Sequence, residues 1–75
     1  MTDYTDAARN EAHVRLADGS EWSIYYIPAG VDGWNIPVIC AYDHRDDCLF
    51  WDVNGIALGH DANIIEIVAD DFNHN

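Results

Sequence analysis

The chain has 75 residues, enough for one domain at most, and 49% of them are apolar, a share that disordered acidic tails do not reach. Fourteen acidic side chains face three arginines (Arg9, Arg15, Arg45) and no lysine, for a formal charge of -11. A field of that sign repels phosphate backbones, nucleotides and anionic membranes and attracts basic clefts, so direct nucleic-acid binding is not expected.

The longest apolar run, Ile36 to Tyr42, falls far short of the ~20 residues that a membrane-spanning helix needs. The N-terminal stretch from Met1 to Asp6 has neither the basic region nor the apolar core of a signal peptide. A cytoplasmic protein of a bacterial host is the expectation. Cys40 and Cys48 are too few for a disulfide framework. In a reducing compartment such a pair is expected to be free and buried.

Residues 1–12 form a polar head, in which Thr5 is placed to cap a short helix over Asp6 to Ala12. Residues 13–68 read as a single β-rich domain. His13 to Ala17 alternates polar and apolar, and Asp18-Gly19 then signals a hairpin. The next strand runs from Glu21 to Ile27, with Trp22, Ile24 and Tyr26 on one face. Pro28 to Asn35 is a turn-rich loop expected to expose Trp34.

A strand from Ile36 to Tyr42 follows, with Pro37 at an unpaired start or an edge. Residues 43–47 make a polar connection into a strand from Cys48 to Asp52. Asn54-Gly55 signals a second hairpin, leading to Ile56 to Leu58. Ile64 to Val68 closes the sheet, and 69–75 is a flexible acidic tail. Five to six short strands predict a mainly β fold, either a small antiparallel sheet or a partly closed SH3-like barrel.

No catalytic motif stands out. Asp43-His44-Arg45-Asp46-Asp47 is the densest charge cluster, but it lacks the glycine and spaced oxygen ligands of a calcium loop. His60-Asp61 resembles the adjacent pair of metal-dependent phosphohydrolases, whose further ligands sit on helices. A hydrolase using His44, His60 and Asp61 is therefore the least favoured reading, and no metal or cofactor is expected. Cys40 and Cys48 lie at equal distances from His44, which would set them opposite each other in a hairpin centred there. They are read as two small apolar side chains on one core face. A strongly acidic protein raises a thiol pKa, which argues against nucleophilic catalysis. Trp22, Trp51, Tyr26 and Phe50 read as core, and Trp34 and Tyr25 as an exposed contact patch.

The stretches Arg15-Leu-Ala-Asp-Gly-Ser-Glu-Trp22, Trp51-Asp-Val-Asn-Gly55 and Asn63-Ile-Ile-Glu-Ile-Val68 resemble the hairpins and closing strands of small proteins from phages and mobile elements. The very short, very acidic members of that group are inhibitors of host defence. They include nucleic-acid mimics that block restriction enzymes and anti-CRISPR proteins that plug nucleic-acid channels. The resemblance implies inhibition by binding, with no catalytic residues to carry over. The expected function is thus an acidic monomer or homodimer that occupies the nucleic-acid site of a basic protein. Asp43, Asp46, Asp47, Asp32 and Asp61 are the expected contact residues, with Trp34 as apolar anchor. The alternative is an SH3-like adaptor that binds a partner through exposed aromatics.

Overall fold

The computed structural model describes residues 3–42 and 48–69. The fold is mainly β, with one short helix and two antiparallel sheets. The elements are α1 (Thr5–Arg9), β1 (His13–Leu16), β2 (Glu21–Ser23), β3 (Tyr25–Ile27), β4 (Val38–Tyr42), β5 (Cys48–Asp52), β6 (Ala57–Leu58) and β7 (Ile64–Ala69). One sheet has the order β2-β1-β7 and the other β3-β4-β5-β6, so the strands do not close into a barrel.

Both expected hairpins form. At the first, Gly19 adopts φ +88° and the Asp18 carboxylate accepts from the Ser20 backbone N–H at 2.9 Å. At the second, the Asp52 carboxylate accepts from the N–H groups of Asn54 and Ile56, at 2.9 and 3.1 Å. Gly55 there has φ +82° and is buried. A methyl group on it would sit 2.7 Å from the Tyr4 ring and 3.0 Å from Ile64 Cβ, so close approach as well as dihedral angle requires glycine.

The single strand expected from Glu21 to Ile27 is split. Ile24 leaves the ladder, donates its N–H to the Ala12 carbonyl at 2.9 Å and buries its side chain completely. The chain thereby passes from one sheet to the other. Trp22, Ile24 and Tyr26 still face the same core, as their alternation implied.

The polar head is part of that core. α1 is shorter than expected, and Thr5 is its first residue rather than its cap. The Thr5 N–H is instead satisfied by the Asp3 carboxylate at 2.8 Å. Tyr4, Ala7, Ala8 and Ala12 pack against Val14, Leu16, Ile39, Ala41, Trp51 and Ile64. A helix this short is marginal alone, and its buried alanine face explains why it forms. Trp51 lies at the centre, fully buried, with Nε1 donating to the Ala62 carbonyl at 2.8 Å.

β4 is buried on both faces. Ile39 and Ala41 belong to the main core, whereas Val38 and Cys40 join Ile27 in a second, smaller cluster on the opposite side. That outer side positions the candidate site.

Candidate functional site

The described carboxylates fall into three groups. Asp3, Asp18 and Asp52 cap backbone N–H groups in turns. Glu21 and Glu66 flank Arg15 across the three-stranded sheet, in ion pairs on its exposed face. Hydrogen bonds from the Ser20 hydroxyl and then the Ser20 N–H hold the Asp18 carboxyl below its ordinary value. Thr5 does the same for Asp3. Among the described residues, Asp6, Glu11, Asp32 and Asp61 make no such bond, so their charge is left for solvent or a partner.

Asp43, Asp46 and Asp47 lie outside the described residues, as does His44. Asp61 is exposed on the rim of a pocket of about 460 Å³ that Asp18, Leu49 and His60 also line. His60 packs edge-on against Trp51, with ring centroids 5.3 Å apart. The Ala62 N–H donates to its Nδ1 at 3.2 Å, so Nε2 carries the proton and donates to the Phe50 carbonyl at 3.1 Å. Both ring nitrogens are thus used in holding the 59–63 loop against the sheet. Asp61 therefore adjoins a structural histidine, and no group of three or more potential metal ligands occurs among the described residues.

The two cysteines do not face each other. Tyr42 pairs with Cys48 and Cys40 with Phe50, because residues 43–47 intervene and centre the hairpin on Arg45 rather than His44. Cys40 is buried and Cys48, expected to be buried, is exposed. Burial pushes the Cys40 thiol up from its ordinary value.

The outer face of the four-stranded sheet carries Tyr25 and Ile27 from β3, Val38, Cys40 and Tyr42 from β4, Phe50 from β5 and Leu58 from β6. The loop before β4 folds back over part of it. Its turn is closed by Gly30 N–H to the Trp34 carbonyl at 2.6 Å and Trp34 N–H to the Val31 carbonyl at 3.1 Å. Trp34, expected to be exposed, is half-buried against Phe50, with ring centroids 5.0 Å apart. It anchors its own loop, because the apolar cluster of Ile27, Val38 and Cys40 offers it a surface.

Beyond that lid the face is open. Tyr25 is 37% exposed and Tyr42 55% exposed, with ring centroids 6.3 Å apart and planes tilted by 51°. Asp32, at φ +56° in the same loop, is exposed. The Tyr42 phenol is pushed up from its ordinary value chiefly by the Cys40 and Cys48 thiols, and Asp32 adds to the shift. Asp32 belongs to the loop whose Trp34 packs on the outer face. Asp61 borders a pocket floored by Leu49, whose side chain packs with the main core on the opposite side. The described contact residues, Asp32 and Trp34 in one loop and Asp61 in another, are therefore divided between two places.

Tyr42 was missed as a site residue. Its strand reads Val-Ile-Cys-Ala-Tyr, which contains no polar residue to mark the outward parity. Comparison with protein-family models, curated proteins and solved structures gave no match. Among the described residues no helix is long and apolar enough to cross a membrane.

Proposed function

We propose that this chain is a binding domain that occupies the cationic nucleic-acid site of a basic protein and inhibits it by exclusion. The observation that carries the proposal is an open aromatic sheet face, Tyr25 and Tyr42, on a protein of charge -11, with the exposed Asp32 in the loop whose Trp34 packs on the same face. Exposed aromatics supply contact area at low entropic cost, and the surrounding field steers a basic partner and rejects acidic ones. The acids that cap turns or pair with Arg15 contribute to the field without being free to contact a partner. Asp61 offers a second, separate contact. Asp43, Asp46 and Asp47 connect β4 to β5 in sequence, next to Tyr42 and Cys48.

The test is capture of proteins from a bacterial lysate on the immobilised chain, followed by elution with duplex DNA or single-stranded RNA. Release of a basic nucleic-acid-binding protein by the nucleic acid, with affinity falling steeply as salt rises, is the expected result. A partner that holds nucleic acid and this chain together, without competition, would rule out exclusion. That outcome supports the adaptor reading, which the exposure of Tyr25 and Tyr42 favours in its own right.

A further inference from the structure

We infer that the Tyr25–Tyr42 corner of the outer face is a recognition site for an arginine side chain of a partner protein, with Asp32, exposed in the loop that packs on that face, as a candidate counter-charge. The inference rests on the proposed binding of a basic partner and specifies which cation the face selects. A guanidinium is planar, stacks on aromatic rings and pairs in two-pronged fashion with a carboxylate. A lysine ammonium is a compact and strongly hydrated point charge that gains less from a ring face. Two tilted tyrosine rings 6.3 Å apart, one more than half exposed, provide such a surface. Asp32, exposed in the loop that packs on the same face, is the carboxylate placed to supply the counter-charge.

The chain uses both contacts internally. The Arg9 guanidinium sits over the Tyr26 ring at 4.9 Å, and Arg15 bridges Glu21 and Glu66. The two described arginines are thereby engaged, and neither is stacked on Tyr42. On its far side Tyr25 borders a cleft of about 270 Å³ lined by Arg9, Glu11 and Pro28. The cation there disfavours a second one close by, so Tyr42 is the main platform. Charge complementarity selects the occupant: a face on a protein of charge -11 disfavours an acidic segment or a second copy of itself.

The test uses two peptides of equal length and charge, one carrying arginines and the other lysines, titrated against the full chain by calorimetry. The arginine peptide should bind about five-fold tighter or more, as expected for one or two exposed cation–π contacts. Tyr42→Leu, which keeps an apolar side chain, should remove that preference, and Asp32→Asn should weaken the arginine peptide more than the lysine peptide. Circular dichroism and thermal melting of both variants check that they remain folded. Equal affinity for the two peptides, or a preference that survives Tyr42→Leu, overturns the arginine site while leaving electrostatic capture of a basic partner in place. No binding of either peptide overturns both. A dimer in light scattering that dissociates on Tyr42→Leu would place a second copy on the face and overturn the inference.

Discussion

The two faces of the four-stranded sheet are built from the same strands and differ in what covers them. The inner face, through Ile39, Ala41 and Trp51, is sealed by α1 and by the three-stranded sheet, and its residues are fully buried. The outer face, one residue along each strand, is covered at Ile27, Val38, Cys40 and Phe50, where Trp34 packs, and it ends at Tyr25 and Tyr42 in the open. An unbroken apolar run therefore does not imply burial along its whole length: β4 is buried on both faces from Val38 to Ala41 and exposed at Tyr42. The difference separates what holds the protein together from what it presents.

The sharpest way to break that comparison is at the centre of the inner face. Trp51→Ala removes the largest fully buried side chain and its bond to the Ala62 carbonyl. It should cost about 3–5 kcal/mol, which in a chain this small is much of the whole stability. Urea denaturation should show it unfolded or nearly so. A loss under 1 kcal/mol would mean that the inner face is not the core.

Gly55→Ala tests the closure of the same face from its edge. The new methyl group meets the Tyr4 ring at 2.7 Å, and the φ of +82° disfavours any side chain. The expected loss is about 1–3 kcal/mol. Gly30→Ala, with a similar φ and open space around it, should cost less, since only the dihedral penalty applies.

Trp34→Ala acts on the partly covered outer face and should cost about 1–2 kcal/mol, because the ring is only half-buried. The same variant should expose Cys40. In the parent chain a thiol reagent should label Cys48 at once and Cys40 slowly, since Cys40 is buried and its thiol is pushed up. In the variant, Cys40 labelling should accelerate several-fold with Cys48 unchanged. Equal rates for both cysteines in the parent chain would show that the lid is not closed.

How far these faces were legible in the sequence depended on whether polar residues marked the period. In β1 and β2 they did, and the parity of Val14, Leu16 and Trp22 was readable. In β4 they did not, so Tyr42 could not be told from Ala41. The break at Ile24 was invisible because its cause, the Ala12 carbonyl, is distant in sequence. The half-burial of Trp34 depends on Phe50, another long-range contact that loop composition does not encode. Register across 43–47 was misjudged by one residue in its centre, which moved Cys48 from beside Cys40 to opposite Tyr42. Of the expected contact residues that are described, Trp34 lies on the outer face, Asp32 is exposed in the same loop and Asp61 borders a separate pocket. Capping roles such as those of Asp18 and Asp52 follow from the turn chemistry that the sequence did display.

Neither face carries the acid sensitivity; the turns should. Asp18 and Asp3 have folded-state values below their ordinary 3.8, so their contribution is complete above that value. It is lost as pH falls through the lower, folded value. Stability measured in urea should therefore decline below about pH 4, and Asp18→Ala should flatten that decline. An acid limb of unchanged slope in Asp18→Ala would assign it to other carboxylates.

The smallest expected effect on stability is the one that decides what the outer corner is for. Tyr42 is 55% exposed, and the residue opposite it, Cys48, is exposed too. Tyr42→Leu should therefore shift stability by no more than about 0.5 kcal/mol. Were the corner simply an extension of the cluster under Trp34, the loss would approach that of Trp34→Ala. A ring that can be removed without loss of stability, exposed at a tilt of 51° to Tyr25, would fit the proposed contact with a basic partner. Equal urea midpoints for the parent chain and Tyr42→Leu, measured with the peptide affinities, separate a surface kept for binding from one kept for folding.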